Sequence, residues 1–130
     1  TMGLKLKLKP NERVFLSGAL IRNAGSGAVL ELMNNVPMLR EKDILLEQDA
    51  KSPCQKLYLI VQTLYFDETS HAVLLQSFNI LLGEVLKAAP SLSASLEPVT
   101  AKLADAQYYS ALKDLQAAIT HESELISHAE

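Results

Sequence analysis

Hydrophobic and charged residues alternate strictly over residues 4–9, which read Leu-Lys-Leu-Lys-Leu-Lys and are followed by Pro10. Successive side chains of a β-strand point to opposite faces, so the pattern predicts a strand with leucines on one face and lysines on the other. The lysine face is then either a solvated surface that blocks edge-to-edge aggregation or the start of a surface that binds anions.

Further short apolar runs, separated by turn residues, continue through the first half of the chain. Gly18 lies inside one of them and is a candidate β-bulge. The loop at residues 23–27 contains two glycines and is typical of a hairpin, and the short connections favour antiparallel pairing. We predict strands over residues 4–9, 14–21, 28–33, 38–39 and 44–46.

The second half of the chain changes to helical periodicity. Ser52-Pro53 is typical of an N-cap followed by proline at the first helical position, which predicts a helix from there to about Phe66. The second helix is apolar over more than one stripe, which indicates a central helix or half of an oligomer interface. The later helices are predicted over residues 71–87, 91–106 and 108–127.

Strands followed by helices predict an α+β chain. We expect a small antiparallel sheet or open barrel over residues 1–50, followed by a bundle of three to four helices over residues 51–130. Because Thr1 precedes Met2, we expect Met2 to be the natural first residue and Thr1 an addition. We find no pattern of a signal peptide or a membrane span and expect a cytoplasmic protein without membrane contact.

The charge is unevenly distributed. Residues 1–56 carry nine Lys/Arg and six Asp/Glu, whereas residues 57–130 carry three and nine, for a net charge of −3. The first half is therefore the part that a polyanion would choose. Aromatic residues that could stack on bases are scarce there, and the residues alone favour a solvated lysine face over an RNA surface. The candidate RNA-binding residues are Lys5, Lys7, Lys9, Arg13, Arg22, Arg40 and Lys42.

No catalytic or metal-binding constellation emerges from the sequence. Cys54 has no histidine near it in sequence, and His121 and His128 are seven residues apart, too far to hold one ion without other ligands. We expect no enzymatic activity, no metal and no cofactor. The apolar helices supply a second candidate surface, for a partner protein or a second copy: Leu57, Val61, Tyr65, Leu74, Phe78 and Leu82.

Several segments together resemble the FlbT family of bacterial flagellar regulators. They are residues 4–10, 17–23 (Ser-Gly-Ala-Leu-Ile-Arg-Asn), 39–45 (Leu-Arg-Glu-Lys-Asp-Ile-Leu) and 58–65 (Tyr-Leu-Ile-Val-Gln-Thr-Leu-Tyr). The Tyr-Tyr pair at 108–109 is similar to the family's last helix. Ser17 departs from the pattern, because we expect asparagine there.

The resemblance implies a post-transcriptional regulator that associates with the 5′ untranslated region of flagellin mRNA, represses its translation and promotes its degradation. In some relatives the effect is activating. The resemblance also implies a small helical partner of the FlaF type and no enzymatic activity. The alternative is a chaperone-like adaptor of flagellar assembly that binds protein through its apolar helices, without direct RNA contact.

Overall fold

The computed structural model describes residues 3–67 and 69–129. It confirms the α+β class, with antiparallel strands in the first part of the chain and helices in the second. The chain divides into two compact units, which we call the β unit (Thr1–Ile44) and the helical unit (Leu45–Glu130). The expectation about Thr1 and Met2 lies outside the described residues.

Among its described residues, the β unit contains five short strands in two antiparallel sheets. One sheet pairs the first strand with the fourth, and in the other the second strand lies between the third and the fifth. The strands are β1 (Leu4–Leu8), β2 (Arg13–Leu16), β3 (Ala19–Arg22), β4 (Ala28–Leu32) and β5 (Met38–Arg40).

The alternation that predicts β1 is confirmed by burial. Leu6 and Leu8 are buried, whereas Lys5 and Lys7 are exposed on the opposite face. Leu4 lies on the same face but is 54% exposed. The leucine face is therefore covered at Leu6 and Leu8 but not at the first residue of the strand.

The prediction of one strand over residues 14–21 is wrong. The chain reverses at Ser17-Gly18, and β2 and β3 form a hairpin whose last pair is Leu16 with Ala19. Ser17 adopts the left-handed backbone region, with φ of 53°, which a tight turn demands and a continuing strand does not. The loop at residues 23–27 therefore leads from β3 to β4, which pairs with β1.

Residues 44–46 do not form the predicted fifth strand, because a side chain takes the place of a strand partner. Gln62 accepts a hydrogen bond from the Leu45 N–H (3.0 Å) and donates one to the Leu45 carbonyl (2.9 Å). Both bonds lie within the helical unit, of which Leu45 is the first residue. The sequence placed the boundary after residue 50, and the division falls after Ile44.

In the part of the helical unit that the structure describes there are four α-helices: α1 (Pro53–Phe66), α2 (His71–Ala88), α3 (Ser93–Ala104) and α4 (Tyr108–Ala129). They lie close to the predicted helices. The third is shorter because residues 90–92 form a separate 3-10 turn, and it ends in a Schellman motif in which Gln107 N–H bonds the Lys102 carbonyl. The core of the helical unit combines side chains of α1, α3 and α4 with Phe78 and Val85 of α2. No helix of the described residues is long and apolar enough to cross a membrane.

Candidate nucleic-acid interface

An open groove of about 960 Å³ runs across the β unit. Its walls come from the end of β1, the turn that follows, the start of β4 and the segment after β5. Four of the predicted cations line it: Lys7, Lys9, Arg40 and Lys42. The folded β unit thus brings together charges that lie 35 positions apart in the sequence.

A type II turn forms one end of the groove. Pro10 and Asn11 occupy its two central positions, and the Glu12 N–H bonds the Lys9 carbonyl at 3.1 Å. Asn11 has φ of 67°, a conformation that this turn type requires and that asparagine tolerates better than most residues. The turn brings Glu12 back to Lys9, whose N–H donates to the Glu12 carboxylate at 2.9 Å.

Arg40 is held in place by partners on β1 and on the turn. Its Nη2 donates to the Lys7 carbonyl and to Glu12 Oε2, the latter at 3.0 Å. The hydrogen bond from the Lys9 N–H, followed by the one from Arg40, lowers the pKa of Glu12 below its usual value. The two bonds from Arg40 orient the guanidinium and use only its Nη2 atom, and the Arg40 side chain is 33% exposed.

Arg13 and Glu41 form a second clamp beside the groove. The Glu41 Oε1 atom accepts from Arg13 Nε at 2.9 Å and from the Arg13 N–H at 3.1 Å. These bonds, the side-chain one first, lower the pKa of Glu41. Because Arg13 already has a carboxylate partner, a phosphate would have to displace Glu41 to use it fully.

The three groove lysines differ from Arg40 and Arg13 in their surroundings. Within the described residues, no carboxylate lies at ion-pair distance from the Lys7, Lys9 or Lys42 ammonium, and all three side chains are exposed. Lys5 lies outside the groove, opposite Glu31 in the β1–β4 register. Arg22 also lies outside it and donates to Asn11 Oδ1 at 2.9 Å.

Asn23 joins the loop before β4 to the end of β1. Its amide nitrogen donates to the carbonyls of Leu8 (3.2 Å), Lys9 (3.1 Å) and Ser26 (2.8 Å), and its oxygen accepts from the Gly25 N–H. Sequence reasoning missed Asn23, Glu12 and Asn11 as groove-building residues. Pro-Asn at 10–11 was the available signal, because it favours this turn.

The predicted helical surface needs correction. Leu57, Val61 and Phe78 are fully buried in the core of the helical unit, where α1 packs against α2 and α4, so they cannot face a partner. Tyr65, Leu74 and Leu82 remain partly exposed. The apolar stripes belong to the core, because periodicity alone does not distinguish the side of a helix that packs inward from the side that faces outward.

An apolar groove of about 510 Å³ does lie at the surface of the helical unit, between α2 and α3. Leu82 and Leu86 line one wall, and Leu96 and Ala101 line the other. Glu97 is its charged member. Elsewhere on α2, Val73 (65%) and Ile80 (59%) are largely exposed.

The N-terminus of α1 is capped by residues from two parts of the chain. Ser52 is the N-cap that the Ser52-Pro53 signal predicts, and it forms a capping box with Gln55. The buried Glu122 of α4 accepts from the Cys54 N–H at 2.9 Å. Burial, followed by the charge of Glu122, raises the pKa of the Cys54 thiol to about 12, so the thiolate is scarce at neutral pH.

The histidines occupy separate positions in the helical unit. His71, at the start of α2, lies 3.1 Å from the Tyr108 hydroxyl, whereas His121 and His128 lie on α4. Across residues 3–67 and 69–129, no group of three histidine, cysteine or acidic side chains is placed to hold a metal ion.

Comparison with known proteins places the chain in one family. The family model described as "Flagellar protein FlbT" matches residues 4–126. The chain is 35% identical to the "Probable flagellum biosynthesis repressor protein FlbT 1" of Bradyrhizobium diazoefficiens over 128 residues, covering 95% of this chain and 85% of that one. It is 31% identical to the "Flagellum biosynthesis repressor protein FlbT" of Caulobacter vibrioides, covering 98% and 92%. No solved structure matches. The chain belongs to the FlbT family of flagellar proteins.

Proposed function

We propose that this protein regulates flagellum biosynthesis after transcription by binding the leader of flagellin mRNA through the groove of the β unit. The observation that carries the proposal is the convergence of Lys7, Lys9, Arg40 and Lys42 on one open groove. Cations that neutralise phosphates release condensed counterions, which drives binding. The relatives named as repressors support a negative effect on flagellar synthesis.

The groove is suited to the RNA backbone more than to the bases. No aromatic side chain lines it, and Phe15 is the one aromatic residue in the sequence of the β unit. Proteins that read unpaired bases generally stack them on aromatic rings. We therefore expect phosphate contacts that position the RNA, with strong salt dependence and weak dependence on base sequence.

In this proposal the protein acts by occupancy and performs no covalent chemistry. Occupying the 5′ untranslated region blocks access of the ribosome, and the untranslated message is then degraded. The protein therefore acts in the cytoplasm, without a cofactor. A helical partner of the FlaF type would bind elsewhere on the chain, which leaves the groove to RNA.

A salt titration of binding to a flagellin leader RNA tests the groove. In the test variant, serine replaces Lys7, Lys9 and Lys42. The matched control replaces by serine three exposed lysines of the helical unit: Lys51, Lys56 and Lys87. Each lost phosphate contact lowers the slope of log K against log salt by about 0.7. We expect the groove variant to lose about 2 from the slope, while the control keeps it; equal slopes in the two variants would contradict the proposal.

A second function, that of a protein-binding adaptor, is favoured by the apolar groove between α2 and α3. An amphipathic helix of a partner can fill such a groove with side chains three and four positions apart. The helical unit holds the acidic excess of the chain, so a helix with basic flanks would fit it best.

Replacing Ala101 by Arg tests the adaptor function. Ala101 is exposed and lines the apolar groove, whereas Ala94 is exposed on the same helix and does not line it. If the adaptor function holds, Ala101→Arg abolishes capture of FlaF-type protein and Ala94→Arg does not. Both variants keep the salt-sensitive RNA binding if the β unit alone contacts RNA.

A further inference from the structure

The outer edge of β4 is a feature of the β unit that the proposed function does not use, although Ala28 and Val29 of this strand also line the groove. β4 pairs with β1 along one edge, and its other edge has no partner strand among the described residues. Val29 is 62% exposed and Leu30 is 38% exposed, although they point to opposite faces. Such an edge presents unpaired N–H and C=O groups that can accept another strand.

The other sheet edges carry residues that discourage pairing. β1 has Lys5 and Lys7, β3 ends in Arg22, and β5 follows Pro37 and ends in Arg40. Lysine, arginine and proline are common protections of a strand edge. β4 reads Ala-Val-Leu-Glu-Leu and has none of them, which marks it as the edge most open to an added strand.

The apolar face of the β1–β4 ribbon is also incomplete at this edge. Leu30 lies opposite Leu6 in the register, so both side chains share one face. Leu6 is only 2% exposed, whereas Leu30 is 38% exposed and therefore only partly covered. A two-stranded ribbon is marginal alone, and three or more strands with an apolar face are more stable. A further strand beside β4 would complete this face.

We propose that β4 pairs antiparallel with β4 of a second copy of this chain, across a two-fold axis at Leu30. Registers that keep the apolar faces together are centred on Val29, Leu30 or Glu31. The Glu31 register sets two carboxylates directly opposite each other, and the Val29 register leaves Leu32 opposite a loop residue. The Leu30 register pairs the whole strand and sets Glu31 opposite Val29 of the second copy.

The charges favour a second copy as the occupant. In the Leu30 register, each Glu31 keeps Lys5 of its own chain on one side and meets an uncharged valine on the other, so no like charges adjoin. Each copy contributes the same strand, β4, to the interface, as an isologous dimer with a two-fold axis requires. The result is a four-stranded sheet in the order β1-β4-β4-β1.

The dimer would carry two lysine rows on one face. Lys5 and Lys7 of each copy lie on the same face of this sheet, on strands three spacings, or about 14 Å, apart. The pairing itself does not depend on RNA binding. A five-residue strand buries less than the roughly 800 Å² per partner of a standard interface, so the dimer should be weak and concentration-dependent.

Opposite charges at position 29 test the register. In the proposed dimer, Val29→Glu opposes Glu31 of the second copy, whereas Val29→Lys opposes it with a cation. Within one chain, position 29 lies opposite Lys7. Val29→Glu should therefore stabilise the folded monomer and Val29→Lys should destabilise it, which is the reverse of their expected effects on the dimer. We expect sedimentation equilibrium to show a dissociation constant about tenfold higher for Val29→Glu than for Val29→Lys.

The matched control is Met33→Glu, which adds a carboxylate at a 78% exposed residue just past the end of β4. It should dimerise like the native chain. A monomer at millimolar protein, or equal constants for Val29→Glu and Val29→Lys, would overturn the proposal.

Cysteine crosslinking gives a second measurement that does not depend on charge. Cys54 is buried with a pKa of about 12, so an added cysteine is the reactive thiol of the chain. Leu30→Cys places two thiols opposite each other in the dimer and should form a disulfide faster than Glu31→Cys or Met33→Cys. Equal oxidation rates for the three variants would overturn the register, with circular dichroism confirming that each is folded.

Discussion

The contact between α4 and the start of α1 leads to a prediction about the stability of the helical unit and the reactivity of the Cys54 thiol. The carboxylate of Glu122 accepts the Cys54 N–H at 2.9 Å, and both residues are buried. Glu122 thus satisfies a helix N-terminal donor that has no partner within α1, and it places a negative charge at the positive end of the helix dipole.

Removing this carboxylate should destabilise the helical unit by an amount that depends on what replaces it. A hydrogen bond to a charged group contributes about 1.5–3 kcal/mol, and a charge at a helix terminus adds about 0.3–1 kcal/mol. Glu122→Ala loses both and leaves the Cys54 N–H unsatisfied, so we expect a loss of about 3 kcal/mol. Glu122→Gln keeps an acceptor of the same size and should lose about 1 kcal/mol.

The same variants should change the chemistry of the thiol. Burial is the first cause of the raised Cys54 pKa and remains in Glu122→Gln, whereas the charge of Glu122 is removed. The pKa should therefore fall below about 12 but stay above 9. Because the folded pKa is raised, the stability that this thiol contributes is complete below pH 9. It is lost as the pH rises from 9 to about 12. In the variant the loss should begin at the same pH, because the unfolded thiol is unchanged, but it should be smaller and end at lower pH.

Urea unfolding and thiol labelling together provide the assay. The chain has one cysteine, so labelling reports on Cys54 alone. We expect faster alkylation at alkaline pH in Glu122→Gln than in Glu124→Gln, an exposed carboxylate two residues further along α4. If Glu122→Ala and Glu124→Gln unfold at the same urea concentration, Glu122 does not cap α1.

Three further predictions concern local backbone strain and acid pH. Ala106 closes α3 with φ of 55°, so Ala106→Gly should raise the unfolding free energy by about 1 kcal/mol in urea denaturation; a lower midpoint would contradict the strain. Ser17 has φ of 53°, so Ser17→Asn should raise it by about 0.5 kcal/mol, as measured by thermal unfolding. The pKa values of Glu12 and Glu41 are lowered from 4.5, so their stabilisation is present above pH 4.5 and lost below it. An acid titration followed by NMR signals of the β unit should show this loss, and Glu12→Gln should reduce it.

The departure at Ser17 connects the sequence to the backbone. The family resemblance gave an expectation of asparagine at this position. The structure places a left-handed φ there, and asparagine is one of the few residues other than glycine that adopt it readily. The sequence could point to the position but not to its cause, because a turn at residues 17–18 and a bulge at Gly18 leave similar patterns.

The candidate site was predictable in composition but not in arrangement. All seven proposed cations lie in the β unit, as the charge distribution indicates. Which of them are free could not be read from the sequence, since Glu12 and Glu41 reach Arg40 and Arg13 across 28 positions. Those carboxylates orient Arg40 in the groove wall and engage Arg13 beside it, whereas Lys7, Lys9 and Lys42 have no carboxylate partner among the described residues.

The sequence by itself determined the features that depend on neighbours along the chain. Alternation defined the two faces of β1, and Ser52-Pro53 defined the start of α1, because strand pleat and helix capping are set within a few residues. Only the tertiary structure decided that Leu57 and Phe78 are core residues. It also decided that Glu122 caps a helix 68 positions away and that β4, not β2, is the partner of β1. Periodicity shows which side of an element is apolar, whereas what covers that side depends on contacts between distant segments.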